Sequence, residues 1–238
     1  MSDTLLLILV LVPALIIAIV FHEVAHGWAA NCLGDPTAKE RNRLSLNPIR
    51  HVDPVGTLLV PGFLAIVGGP IFGWAKPVPV NAHRLDNPRF GMMAVAAAGP
   101  GSNFLLAAVG AAAFGLIAPP VWGFGEEGTA FSIIGGDGEI NLAMTGLFYF
   151  MLINVFLGIF NLLPIPPFDG SHIVEGLLPR RYVHLYAKLR PYGMLLFFGL
   201  VALTWFAPEL GVLENTIWPP VQWMLNEYLA FADRVASV

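Results

Sequence analysis

The chain has 238 residues, 56% of them hydrophobic and 12% charged, with a mean hydropathy of +0.71. A soluble domain carries about a quarter charged residues, so half that share excludes an ordinary water-soluble fold and places the chain in a membrane. The net charge of −4 is silent on nucleic acid, but no Lys/Arg-rich run reads as a phosphate-binding tail, so no nucleic-acid partner is expected, and a single cysteine, Cys32, excludes an intrachain disulfide.

The first element is expected at residues 5–33. Residues 5–20 are uninterrupted hydrocarbon, and Phe21 leads into His22-Glu23-Val24-Ala25-His26. The N-terminus lacks the positive region of a secretory signal, so this segment is expected to be a retained anchor. Ionisable groups at membrane depth are costly and mark function. On a helix, residues four apart share a face about 6 Å apart along the axis, so His22 and His26 can present two imidazoles to one ion. Glu23 is offset around the helix and can reach a water instead. Zinc lowers the pKa of a bound water towards ~7, and a carboxylate can then take its proton. The bland alternative is an incidental match with both histidines bonded to backbone. Cys32, just beyond the motif, is expected to be a small packing residue.

Residues 55–74 form the next apolar stretch, broken by Pro61-Gly62 and Gly68-Gly69-Pro70. All 12 Lys and Arg fall in four clusters: Lys39 to Arg50, Lys76 to Arg89, Arg180 to Arg190, and Arg234. The connection 119–141 has no basic residue. By the positive-inside rule the basic loops are cytoplasmic. A full crossing at 55–74 would put the first two on opposite sides, so a re-entrant or strand-like segment is favoured, buried against protein. A true span is the alternative. Further spans are expected at 91–118, 142–163 and 192–207, with a weaker one at 218–231. The fold class is therefore an all-α polytopic membrane protein with about five to six transmembrane helices. It is read as a single integral-membrane domain over 1–238, with a catalytic core at about 5–175 and C-terminal helices at about 190–232.

A catalytic zinc takes three protein ligands and keeps one position open. The best third candidate is Asp169, in Asn161-Leu162-Leu163-Pro164-Ile165-Pro166-Pro167-Phe168-Asp169-Gly170. It follows a helix that runs inward, towards the same leaflet as His22. The alternative is a proline-rich helix terminator with a solvated aspartate. His51, His83 and His184 lie in basic loops and are expected to be solvated. His172 is expected to be structural or supporting.

The HExxH helix followed by N-x-x-P-x-P-P-x-D-G resembles the site-2 protease family of intramembrane zinc metalloproteases, in its short prokaryotic form without a PDZ domain. Leu44-Ser45-Leu46-Asn47-Pro48, the stretch from Asp53 to Asn81, and Ala98-Gly99-Pro100-Gly101-Ser102-Asn103 are similar as well. The resemblance covers roughly residues 20 to 175. It implies Zn²⁺ held by His22, His26 and Asp169, with Glu23 as general base. It also implies Asn161 and Asn103 as polar partners of the substrate backbone or the developing oxyanion, against a plain role in helix–helix hydrogen bonding. The implied activity is hydrolysis of peptide bonds within or next to transmembrane segments of membrane proteins. The site would lie near the cytoplasmic leaflet of a prokaryotic cell membrane. Residues 74–80, with alternating prolines, form either a place for an extended substrate strand or a rigid loop at the membrane interface, and the sequence favours neither. The competing class is a non-catalytic membrane metal-binding protein or zinc transporter, which has no need of Glu23 and tends to show paired half-repeats.

Overall fold

The computed structural model describes residues 3–67, 73–119, 122–127, 130–135 and 139–237. In chain order, helix α1 (Asp3–Cys32) is followed by the short α2 (Thr37–Glu40), a turn at Pro48–His51, a π-helical turn at Pro54–Leu59 and α3 (Val60–Val67). Then come α4 (Pro88–Ile117), strands β1 (Trp122–Glu127) and β2 (Ala130–Gly135), α5 (Leu142–Asn161), α6 (Asp169–Leu177), α7 (Arg180–Ala187), α8 (Gly193–Phe206), α9 (Val212–Thr216) and α10 (Trp218–Ala236).

Four described helices are long and apolar enough to cross a membrane: Ile8–Cys32, Pro88–Ile117, Leu142–Asn161 and Arg180–Phe206. They expose large apolar side chains such as Leu105, Leu116 and Phe206, as helices facing lipid do. The expected count of five to six included 55–74 and 218–231, and neither is among the four. The second is α10, whose Val221, Leu225 and Ala232 form one buried face while Glu227, Asp233 and Arg234 make it amphipathic rather than apolar. The fourth span begins earlier than the expected 192, because α7 and a 3₁₀ turn at Arg190–Tyr192 lead into α8.

The chain forms two compact units. The first comprises Met1–Ala18, Asn103–Ile159 and Thr216–Val238. Its core gathers Val10, Phe114, Ile133, Met144, Met151 and Leu225. The connection 119–141, which has no basic residue, contributes the antiparallel pair β1 and β2 in the register Trp122↔Gly135 to Glu127↔Ala130. Ile133 on β2 is fully buried, and its N–H is bonded by Thr145 Oγ1 at 2.9 Å. Asn141 accepts from Met144 N at 3.1 Å and caps α5.

The second unit comprises Ile19–Ser102 and Phe160–Asn215. Here α1 ends at Gly34, whose φ of +98° suits glycine. The Asp35 N–H closes back on Ala30 O at 2.9 Å in a Schellman-type stop. Pro88 opens α4 behind Asn87, whose side chain accepts from Phe90 N. Between them, the two ends of the segment 55–74 meet. The Trp74 N–H bonds Gly56 O at 3.1 Å, and Thr57 Oγ1 bonds Trp74 O at 2.9 Å. A Cβ on Gly56 would strike the Trp74 indole. A crossing would separate those ends by about 30 Å of hydrocarbon, so both ends lie on one side. Gly68, Gly69 and Pro70 lie outside the described residues. The two basic loops lie together accordingly: Arg43 Nη2 donates to Lys76 O at 2.7 Å, and Arg84 pairs with Glu40 at 2.7 Å.

Candidate metal centre

Three donor atoms from two helices converge in the second unit. His22 Nε2 and His26 Nε2 are 3.0 Å apart, and Asp169 Oδ2 lies 3.1 Å from the first and 3.3 Å from the second. The histidines come from successive turns of α1, with their rings edge to face at 87°. Asp169 is the first residue of α6. It is aimed by a close backbone approach, since a Cβ on Gly170 would collide with the Leu162 carbonyl group and Leu163 O. That contact explains the glycine after the aspartate.

The chemistry of the three atoms suits a cation. His26 Nδ1 lies 2.7 Å from Val95 O, and a carbonyl only accepts, so Nδ1 carries the proton and Nε2 of the neutral ring presents a lone pair. Asp169 Oδ2 is buried without a hydrogen-bond donor. An aspartate carboxyl is anionic at neutral pH. Lone pairs packed this closely repel unless a positive ion sits between them. A tetrahedral ion with bonds of about 2.0–2.1 Å has ligand–ligand edges of about 3.3 Å, close to the observed spacings. Among the described residues, this trio is the one group of three metal-binding side chains close enough to share an ion.

Glu23 is outside that trio. Its Oε2 accepts the Val78 N–H at 2.8 Å. Val78 sits in residues 73–81, where the Trp74, Lys76 and Val78 N–H groups all bond the protein: Gly56 O at 3.1 Å, His51 O at 2.9 Å and Glu23. That every-second-residue rhythm belongs to an extended chain. Pro77 and Pro79 have no N–H, so Val78 carries the one amide donor of that triplet. The stretch is fastened at its far end by buried Asp35, which accepts from Asn81 N at 2.6 Å, from Thr37 N at 3.0 Å and from the Thr37 hydroxyl. Burial would raise the Asp35 carboxyl, but the Thr37 and Asn81 bonds and the Arg84 charge together hold it below the usual carboxylate range.

The remaining sequence candidates fall as follows. Asn161 is the last residue of α5, in the second unit. Asn103 belongs to the first unit, fully buried, with its amide nitrogen 3.2 Å from Ala18 O and 2.9 Å from Asn154 Oδ1. These bonds are helix-to-helix ties. His172 faces Glu175 at 3.7 Å, and Glu175 also pairs with Arg190. Burial, then the Arg190 charge, lowers the His172 pKa against the opposing pull of Glu175. Two expectations need correction. His51 is buried, not solvated, because the 3₁₀ turn folds its ring against Ser45 O at 2.7 Å. Cys32 is exposed at the end of α1 rather than packed.

Residue-by-residue reading missed two features of the centre. One is the Val95 carbonyl that orients His26. The other is Gly99 on α4, where a Cβ would land on the His26 ring and 2.7 Å from His22 Cε1. A glycine before a proline inside an apolar helix was the available signal for Gly99. A backbone carbonyl such as Val95 O leaves no signal at all.

The profile of peptidase family M50 matches residues 10–203. A Bacillus subtilis (strain 168) protein described as "Putative zinc metalloprotease YwhC" is 39% identical over 220 residues, covering 91% of this chain and 85% of that one. No solved structure matches. A match over most of the length, together with the two-histidine, one-aspartate cluster, means that the chain belongs to peptidase family M50, the site-2 protease family of zinc metalloproteases.

Proposed function

We propose that this membrane protein hydrolyses peptide bonds within or next to transmembrane segments of other membrane proteins, with zinc held by His22, His26 and Asp169 and with Glu23 as general base. The observation that carries the reading is the converging trio beside a carboxylate that is not part of it. When bound, zinc supplies Lewis-acid polarisation and a water that deprotonates near neutral pH. The chain's own residues divide the remaining work. Glu23 Oε2 is held by the Val78 amide, so the carboxylate has a fixed position from which to take the proton of the attacking water. It then delivers that proton to the leaving amine nitrogen. Val95 O fixes the His26 tautomer, and Gly99 leaves room for both rings.

Residues 73–81 receive the unwound substrate. Their inward N–H groups are occupied, and the prolines leave the opposite edge rich in carbonyl acceptors for an extended peptide. Asn161 is assigned the substrate-facing amide, while the bonds of Asn103 favour a helix tie. Clustering of the basic loops supports an active site near the cytoplasmic leaflet of a prokaryotic cell membrane. A role in regulated intramembrane proteolysis belongs to the same reading.

The test is Glu23→Gln in proteoliposomes carrying a single-pass reporter substrate. Zinc stoichiometry should stay as in the wild type while cleavage falls by about 10²–10⁴-fold, the usual worth of a general base. A Glu23→Gln protein that cuts at the wild-type rate removes the assignment.

A further inference from the structure

A second, separate cluster lies where the basic loops meet. Arg41, Arg43, Lys76, Pro77 and Pro79 line a cavity of about 250 Å³. Arg43 is buried, at 9% exposure. One of its Nη atoms reaches Lys76 O, and its Nε has no partner. None of the three cations forms an ion pair among the described residues. Glu40, next to Arg41 in the chain, is held by two bonds to Arg84. A buried guanidinium without a counter-charge is costly, and two more cations at the same cavity add repulsion.

The loop that carries these charges also exposes apolar side chains. Leu46 is 55% and Ile49 78% exposed, and both lie within a few residues of Arg41, Arg43 and Arg50. Cations interleaved with outward apolar groups are the pattern of a segment seated at a lipid surface. We infer that this pocket binds the phosphate of an anionic phospholipid headgroup, with the guanidinium of Arg43 at its floor and Arg41 and Lys76 at its rim. Lys76, Pro77 and Pro79 belong to the stretch whose Val78 amide holds Glu23, so the bound headgroup braces that stretch from its other side.

The test reads binding rather than cleavage, so its outcome is independent of the proposed function. The full chain in neutral detergent is titrated with phosphatidylglycerol, phosphatidylcholine or inorganic phosphate and followed by native mass spectrometry and thermal shift. Arg43→Gln risks misfolding because the side chain is buried, so the deciding variant is Arg41→Gln/Lys76→Gln, at two exposed positions. The wild type should retain phosphatidylglycerol in preference to phosphatidylcholine. The double variant should bind phosphatidylglycerol about 30-fold more weakly, from roughly a factor of five per interfacial cation. Equal retention of the two lipids by the wild type, or an unchanged preference in the variant, overturns the assignment. Variant-sensitive stabilisation by millimolar inorganic phosphate without a lipid preference makes a soluble phosphate the occupant.

Discussion

Gly99→Ala is the sharpest perturbation of the metal centre, because it adds one methyl group and touches no ligand. The new Cβ would lie 2.5 Å from His26 Nε2 and 2.7 Å from His22 Cε1, where ordinary contact begins at 3.4 Å. The His26 ring must therefore retreat by about 0.9 Å, several times the ~0.2 Å tolerance of a metal–ligand bond. Its escape is restricted, since Nδ1 is bonded to Val95 O and the ring sits on a rigid helix. Loss of an orienting contact costs about 10–100-fold in metal affinity, and displacing a ligand outright should reach the upper end of that range. The assay is competition for zinc against a calibrated chelator, with helix content and melting temperature followed in parallel. Gly101→Ala, two residues on in the same helix, is the control: its Cβ meets nothing within 4 Å. It should keep wild-type zinc affinity and gain up to ~1 kcal/mol in helix propensity. Equal zinc affinity in Gly99→Ala, Gly101→Ala and the wild type would refute the packing argument.

Val78→Pro removes the donor to Glu23, and Val78→Ala keeps it. A charge-assisted bond of this kind is worth about 1.5–3 kcal/mol, so kcat should fall by ~10–100-fold in the proline variant with zinc content unchanged and stay within a few-fold in the alanine variant. Equal losses in the two would place the effect in the valine side chain, which packs over Gly27. Gly170→Ala drives a Cβ into the backbone of Leu162 and Leu163; zinc retention and melting temperature should drop together, by about 1–3 kcal/mol in stability, and a protein with wild-type zinc content and stability counts against the aiming role. Asp35→Asn tests the fastening of the 73–81 stretch. Because the folded-state carboxyl is held low, its contribution is complete above the ordinary carboxylate value of 3.8 and is lost as pH falls through the lowered one. Melting temperatures of wild type and variant should therefore differ by a constant amount at neutral pH, for a loss of about 1–3 kcal/mol, and converge below pH 3.8. A gap that persists unchanged in acid points to packing instead.

The parts of the site that depend on periodicity were legible in the sequence. Two histidines four apart on an apolar helix share a face whatever the tertiary structure. Asp169 closes the connection after an apolar helix, and its Oδ2 lies within 3.3 Å of both histidines. That the ends of 55–74 lie together was also legible, because putting Lys39 to Arg50 and Lys76 to Arg89 on opposite sides would have broken the charge rule. Contacts through backbone atoms were not legible. Val95 O, the Val78 N–H and the Leu162–Leu163 carbonyls carry no side-chain signature, so the groups that orient His26, Glu23 and Asp169 emerge only in three dimensions. His51 was misjudged because its basic neighbours suggested solvent, whereas the 3₁₀ turn folds it inward. The pair β1–β2 was missed because glycines at Gly123 and Gly125 obscure the alternation in β1.

The separation of Glu23 from the ligand trio is the step on which the proposed chemistry turns. A carboxylate one residue from His22 is close enough to compete as a ligand, and a fourth protein ligand would fill the position that water needs. The Val78 amide resolves that competition by holding one oxygen of Glu23 with a backbone donor. Prolines on both sides ensure that neither neighbour offers a rival N–H, and they restrict the backbone that presents this one. Position 74 returns to Gly56, position 76 to His51 and position 81 to Asp35, so the donor is fixed from either end. On the proposed reading, the stretch 73–81 contributes to the chemistry as well as to the fold, since it leaves the carboxylate free to act as a base. A stretch that lost its anchorage at either end would be expected to leave the zinc site intact and still silence the enzyme.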